Sequence, residues 1–183
     1  LLWATVVNAP LEEAANPAHS PNPAKAAWYF MGFQELLMHF HPVFGAIIIP
    51  GAGLLGLLLI PYLDQDMDSV GVWFRSMNGR WLTVFSANLG VIGAFAFVLV
   101  DEYWLDIPGW LPFLPSYISN GWIPLAGVLL LLIGYYQALK VLKASNCEAR
   151  QSLFTLLLAS FVTLTVIGIF FRGEGMAFIL PWS

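Results

Sequence analysis

Long apolar stretches alternate with short polar segments along this chain of 183 residues. A helix needs about 20 consecutive, mostly apolar residues to cross the hydrocarbon core of a bilayer. Four stretches reach that length, and charged or aromatic residues that suit the membrane surface lie at their ends. We therefore predict an all-α integral membrane protein with four complete transmembrane helices, at about residues 33–63, 81–100, 121–142 and 152–171.

The segments outside these helices are short. Residues 1–7 are apolar but too few to span, so they predict a partial N-terminal helix in a chain that is incomplete or processed at its start. Residues 8–26 contain several prolines and predict an extended loop. Residues 101–120 carry Trp and Tyr, which favour the headgroup level. We expect one membrane domain over residues 1–183.

The composition mainly excludes other classes of protein and of site. Charged residues make up 10% of the chain and hydrophobic residues 59%, whereas about 25% of an ordinary soluble domain is charged. The mean hydropathy is +0.76. No run of Lys or Arg is present, so we expect no nucleic acid partner. The single cysteine, Cys147, excludes an internal disulfide and any cysteine-based metal site.

The basic residues are unevenly divided between the two sides of the predicted helices. Five of the seven Lys and Arg residues flank the loops that follow the first and third helices, namely Arg75, Arg80, Lys140, Lys143 and Arg150. Lys25 and Arg172 lie on the other side. Because cytoplasmic loops carry the excess of Lys and Arg, loops 8–26 and 101–120 are expected to face outward.

The segment from Asn22 to Phe30 reads Asn-Pro-Ala-Lys-Ala-Ala-Trp-Tyr-Phe and precedes the first long helix. It resembles the start of the C-terminal half of cytochrome b, where Pro-Glu-Trp-Tyr opens a long helix. The Pro-Tyr pair at Pro61 matches the Pro-aromatic end of that helix. The resemblance covers residues 8–64 well and residues 150–178 loosely, where Phe-Phe-Arg-Gly occurs at 170–173. Residues 81–142 look like two helices extra to the family's form.

The resemblance implies a subunit IV-like half of a split cytochrome b in a bacterial bc-type quinol–cytochrome c oxidoreductase. Such a subunit lies in the cytoplasmic membrane and takes part in proton-coupled electron transfer of the respiratory chain. The implied partners are the haem-bearing N-terminal half of cytochrome b, a Rieske iron–sulfur protein and a c-type cytochrome, in a dimeric complex. This chain has only His19, His39 and His41, which form no deep pairs, so b haems are expected on the partner.

The resemblance also implies which residues meet quinol. Trp28, Tyr29 and Phe30 would line the quinol oxidation site on the outer face; the alternative is an interfacial aromatic belt. The family's motif glutamate, a proposed proton acceptor, is Ala27 here. Glu35 follows eight residues later, about 80° around a helix axis and about 12 Å along it. It is the candidate proton acceptor, and the alternative is a favourable charge at a helix N-terminus.

Other polar residues carry weaker predictions. Glu35 and His39 are four apart and could share a proton or a metal, but a metal needs three or four ligands, so no metal site is expected. Asp101, Glu102 and Asp106 predict a solvated acidic patch. Two further functions stay open. They are a quinone-binding or structural anchor subunit of another respiratory complex, and a transporter subunit, although no inverted repeat is visible.

Overall fold

The computed structural model describes residues 25–63, 76–173 and 176–179. In these ranges the regular structure is helical, apart from one antiparallel bridge between Arg172 and Phe178. The helices are α1 (Met31–His39), α2 (Ile49–Leu63), α3 (Met77–Tyr103), α4 (Ile107–Trp110), α5 (Ile123–Val141) and α6 (Asn146–Phe170). The predicted partial helix at residues 1–7 and most of loop 8–26 lie outside the described residues.

Four helical segments are long and apolar enough to cross a membrane. They are Phe44–Tyr62, Met77–Tyr103, Ile118–Val141 and Asn146–Phe170. The first and third begin with a π-helical turn, at Phe44–Ile48 and Ile118–Trp122, that runs into α2 and α5. The prediction of an all-α membrane protein with four complete transmembrane helices is confirmed.

The first predicted helix, 33–63, is divided in the structure. Helix α1 ends at His39, and Phe40 has extended backbone angles of φ −128° and ψ 153°. His41 precedes Pro42, and a residue before proline disfavours the helical conformation. The backbone N–H of His41 instead donates to the carbonyl of Asn120 at 2.8 Å. Helix α1 is therefore a separate element at the end of the bundle.

Helix α3 is longer at both ends than the predicted 81–100. It begins after Ser76, whose hydroxyl accepts a hydrogen bond from the N–H of Gly79, and it ends at Tyr103. Asp101 and Glu102 consequently lie in its last turn, where their side chains are held at fixed angles to the helix axis. In the following segment, the carboxylate of Asp106 caps the short helix α4.

Helices α3 and α6 form the centre of the described structure. They run parallel, because Ser76 contacts Glu148 at their N-terminal ends and Glu102 contacts Arg172 beyond their C-terminal ends. Gly90 lies so close to the backbone carbonyl of Leu156 that a Cβ atom would clash with it. Small residues of this kind let membrane helices approach closely.

Helix α1 packs across the C-terminal part of α6. A Cβ atom on Gly32 would lie 2.6 Å from the hydroxyl of Thr165, and one on Gly168 would lie 3.0 Å from the Met31 side chain. Helix α5 is held more loosely, through a hydrogen bond of 2.6 Å between the hydroxyls of Ser86 and Tyr135. Most large apolar side chains of α2 and α5 point away from the rest of the chain.

Candidate functional site

An aromatic turn precedes α1. Trp28, Tyr29 and Phe30 form one 3-10 turn, and their residues are 70%, 59% and 55% exposed. The rings of Trp28 and Tyr29 meet edge to face with centroids 5.6 Å apart, and those of Tyr29 and Phe30 lie 5.0 Å apart. This aromatic turn is an open apolar surface with a defined shape.

Two hydrogen bonds fix the chain just before the aromatic turn. The ammonium of Lys25 donates to the carbonyl of Ile169 at 2.9 Å, in the last turn of α6. The backbone N–H of Ala26 donates to the side-chain oxygen of Gln34 at 2.8 Å, within α1. The segment that leads into the aromatic turn is therefore attached to both α6 and α1.

Glu35 lies one helical turn further into α1 and is 0% exposed. The guanidinium of Arg172 pairs with it through two bonds, from Nε to Oε1 at 2.9 Å and from Nη2 to Oε2 at 3.0 Å. Such a bidentate pair fixes both the position and the plane of the carboxylate. Burial of this carboxylate is therefore compensated by a residue 137 positions later in the chain.

Arg172 is itself buried and has further partners. Its Nη1 donates to Oε2 of Glu102 at 2.9 Å and to the carbonyl of Met176 at 3.1 Å. Its guanidinium carbon lies 5.7 Å from the centroid of the Phe178 ring. These contacts fold the segment after α6 back over the ends of α1 and α3.

His39 joins Glu35 to a second carboxylate. Its Nδ1 lies 2.6 Å from Oδ2 of Asp101, and its Nε2 lies 3.4 Å from Oε2 of Glu35. Nη2 of Arg172 is also 3.4 Å from Nε2. The edge of the Phe97 ring packs against the imidazole, with centroids 5.5 Å apart.

These contacts define a charge cluster of five side chains, namely Glu35, His39, Asp101, Glu102 and Arg172. Its members come from the end of α1, the last turn of α3 and the segment after α6. Those ends lie on one side of the four transmembrane segments, the side that also carries the aromatic turn. Sequence-distant charges thus meet at one membrane surface.

The surroundings shift the pKa values of two titratable groups in opposite directions. Burial opposes ionisation of Glu35, but hydrogen bonds from His39 and Arg172 outweigh it, so the pKa of this carboxyl is lowered. Burial likewise opposes protonation of His39, but the hydrogen bonds to Asp101 and Glu35 outweigh it, so the pKa of the imidazole is raised. At neutral pH the cluster therefore favours an ionised Glu35.

The structure places the predicted site residues in two groups, one in the turn before α1 and one within α1. Trp28, Tyr29 and Phe30 form the exposed turn, whereas the hydrogen bonds and ion pairs of Glu35 run to Arg172 and His39. Glu35 is thus a cluster member rather than an isolated helix-start charge. The pairing across 137 positions could not be foreseen from the sequence. The available signal was a lone Arg directly after an apolar span.

Two of the three residues of the predicted acidic patch lie in a helix rather than in the following loop, although their side chains stay partly exposed. Asp101 and Glu102 lie in helix α3 and contact His39 and Arg172, because α3 extends past the predicted end of the span. Asp106 instead accepts a hydrogen bond from the N–H of Gly109.

The two histidines in the described residues lie at the end of α1 and just after it. Both ring nitrogens of His39 face side chains of the charge cluster, so neither is directed at an open cavity. His41 lies at the break after α1, with its ring edge against Phe44. Within the described ranges no group of three or more His, Cys, Asp or Glu side chains could hold a metal ion. His19 lies outside those ranges.

Comparison with known proteins identifies the family. The family model for cytochrome b(C-terminal)/b6/petD matches residues 14–111, which include the aromatic turn, α1, α2 and α3. The chain belongs to this family. It is a multi-pass membrane subunit of a bc- or b6f-type complex, and membership implies partnership with the haem-bearing N-terminal half of cytochrome b. No curated protein and no solved structure matches the chain.

The extent of the match revises one prediction. Helix α3 falls inside residues 14–111, so the prediction that it is extra to the family's form is wrong. The reason is that the match continues through the loop after α2, where the quoted motifs end. Helices α5 and α6 and Arg172 lie beyond the matched residues.

Proposed function

We propose that this subunit forms part of the outer-face quinol oxidation site of a quinol–cytochrome c oxidoreductase. The aromatic turn supplies an apolar wall for the quinol ring, and Glu35 accepts a proton during oxidation. The observation that carries this proposal is an exposed, tethered aromatic turn that runs directly into the helix bearing a buried carboxylate, in a chain of the cytochrome b family.

The aromatic turn has the properties of a binding wall. Its rings are open to a ligand, and the bonds from Lys25 and Ala26 hold the backbone behind them. Pockets for small molecules are mainly apolar and aromatic, with a few placed polar groups that fix orientation. A quinol has a flat apolar ring with hydroxyl groups at its edge, which suits that combination.

Glu35 supports the proton step through its location. Ionised groups at a membrane boundary are costly and are commonly found where protons or ions move. Arg172 favours the charged carboxylate, so Glu35 is ready to accept a proton and does not retain it. The motif glutamate is absent at Ala27, and Glu35 stands on the next turns of the same chain segment.

The membrane orientation follows from the basic residues. Four described Lys and Arg residues lie at the end of the bundle opposite the charge cluster, namely Arg80, Lys140, Lys143 and Arg150. The positive-inside rule then directs the cluster and the aromatic turn outward. We place the protein in the bacterial cytoplasmic membrane, in a dimeric complex with a Rieske protein and a c-type cytochrome as electron acceptors.

The test uses the purified complex with its haem-bearing partner. We expect Trp28→Leu to lower kcat/KM for quinol oxidation by about tenfold or more, the usual scale for an apolar pocket contact. We expect Glu35→Gln to lower kcat by about 100-fold, as for loss of a general base. Steady-state oxidation of a soluble quinol analogue gives both values, and the haem spectrum reports assembly.

Trp110→Leu is the matched control. Trp110 is 63% exposed and Trp28 70%, but Trp110 belongs to α4, which follows α3, rather than to the turn before α1. Its replacement should leave quinol oxidation unchanged. Equal losses of kcat/KM in Trp28→Leu and Trp110→Leu would indicate that the aromatic turn is only part of an interfacial aromatic belt. Normal turnover in assembled Trp28→Leu and Glu35→Gln would favour the alternative of a quinone-independent anchor subunit.

A further inference from the structure

We propose that His39 and Asp101 carry the proton from Glu35 to the water at the membrane surface. This inference rests on the proposed function, because it extends the proton step assigned to Glu35. His39 on α1 and Asp101 on α3 act in sequence, and Arg172 is a fixed positioning charge.

The three side chains form a continuous line from the interior to the surface. Oε2 of Glu35 lies 3.4 Å from Nε2 of His39, and Nδ1 of His39 lies 2.6 Å from Oδ2 of Asp101. The side chain of Glu35 is 0% exposed, whereas that of Asp101 is 25% exposed. A proton that leaves the buried carboxyl therefore has one intermediate group before it reaches a carboxylate in contact with solvent.

The imidazole is oriented for transfer. When His39 is neutral and its Nδ1–H donates to Asp101, the lone pair of Nε2 faces Glu35. The O–H bond of protonated Glu35 breaks as an N–H bond forms at Nε2. The Nδ1–H bond then breaks as an O–H bond forms at Asp101, which releases the proton to water. In sum one proton moves from Glu35 to water and no electron is transferred. The first tautomer is restored when Nδ1 gains a proton from water and Nε2 loses one to water.

Arg172 sets the direction of this transfer. Its two bonds to Glu35 stabilise the carboxylate, so the protonated acid is short-lived and passes its proton on. The charged or titratable groups that face His39 are Glu35 from α1, Asp101 from α3 and Arg172 from the segment after α6. Glu102 faces Arg172 from the same helix turn as Asp101.

A comparison of Asp101 with Glu102 distinguishes a proton relay from a purely structural role of the charge cluster. Both Asp101 and Glu102 join α3 to the charge cluster, and their side chains are similarly exposed, at 25% and 29%. Only Asp101 contacts His39; the ion pair of Glu102 is with Arg172. If the cluster only holds the helices together, the two neutral amide variants should have similar effects. If protons pass through His39, Asp101→Asn should slow turnover and Glu102→Gln should not.

The experiment compares Asp101→Asn and Glu102→Gln in the purified complex. For Asp101→Asn we expect quinol oxidation to slow by about 100-fold, the scale of a lost proton-transfer group, with an increased solvent isotope effect in D₂O. A small weak acid such as formate should restore part of the rate, because the position is open to solvent. For Glu102→Gln we expect a rate within about twofold of wild type and no formate effect.

Several outcomes would overturn the relay. They are an unchanged rate in Asp101→Asn, equal losses in both variants, or a loss that formate does not relieve. If Asp101→Asn does not assemble, His39→Gln interrupts the same route, and a wild-type rate in that variant between about pH 5.5 and 8 would end the proposal. A normal rate of quinol oxidation in Trp28→Leu would instead contradict the proposed quinol site. Failure of the relay and failure of the proposed function can therefore be told apart.

Discussion

A buried glutamate lies at each end of the parallel helices α3 and α6, and the two carboxylates are stabilised by different kinds of partner. At the N-terminal ends, Glu148 is 8% exposed and its carboxylate accepts hydrogen bonds from Ser76 and from the backbone N–H of Ser145. At the C-terminal ends, Glu35 is 0% exposed and is paired with Arg172. One end uses neutral donors, and the other uses a cluster of charges.

The neutral arrangement is sufficient to join helices. Ser145 and Glu148 form a capping box, in which the N–H of Glu148 donates to the Ser145 hydroxyl at 3.2 Å and the Ser145 N–H donates to the carboxylate at 3.0 Å. The hydroxyl of Ser76, the N-cap of α3, adds the link between helices. Helix N-termini supply free N–H groups and a positive partial charge, both of which suit a carboxylate.

The charged arrangement is more than helix attachment requires. Burying several ions carries a desolvation cost that their mutual attraction only partly offsets, and well-packed apolar residues often stabilise as much. A cluster of several ionisable groups in a chain that also presents an open aromatic surface is typical of a functional site. The difference between the ends therefore supports a proton role at one end and a purely structural role at the other.

The largest expected effect is from removing the cation. Arg172→Met leaves Glu35 buried without its bidentate partner, and we expect the complex to lose about 3–5 kcal/mol of unfolding free energy. The measurement is denaturant unfolding of the detergent-solubilised complex, followed by tryptophan fluorescence.

The double variant Glu35→Gln/Arg172→Met controls for this loss. It removes both charges, so it should recover a large part of the stability lost in Arg172→Met. A double variant as unstable as the single one would mean that the packing of Arg172 against Phe178, rather than its charge, holds this end.

A smaller loss is expected at the neutral end. Glu148→Ala removes the capping box and the bond from Ser76, and we expect a cost of about 1–2 kcal/mol. The same unfolding assay measures it, and quinol oxidation should not change once the complex is assembled. A loss of turnover in assembled Glu148→Ala would show that the two ends are not functionally distinct.

The smallest effect is the pH dependence of stability. The pKa of Glu35 is lowered from 4.5, so its contribution is present above that value and is lost as pH falls. The pKa of His39 is raised from 6.5, so its contribution is complete below that value and is lost as pH rises through the higher folded pKa. The cluster should therefore contribute most between pH 4.5 and 6.5.

Thermal unfolding of the complex across pH checks this window. His39→Gln should remove the fall on the alkaline side and leave the acid side in place, since Glu35 still titrates. An alkaline limb that persists in His39→Gln would assign it to another group.

The predictable parts of the molecule are those set by neighbouring residues. Apolar length alone was enough to predict four spanning helices, and the local pattern around Trp28 identified the family. The break at Phe40 is not predicted from apolar length, because Pro42 lies within an otherwise apolar run. The partner of Glu35 is not predictable in this way, because Arg172 meets it only after four membrane-spanning helices have packed together.

The bond from Lys25 to Ile169 has a mechanical consequence. It uses a carbonyl in the last turn of α6, a group with no partner inside its own helix, at a position where positive charge is favoured. The aromatic turn is thus held on its N-terminal side by the Lys25 bond and on its C-terminal side by α1. If quinol binds at this turn as proposed, it meets a surface that is already ordered, so its recognition would depend on shape complementarity rather than on closure of the protein around it.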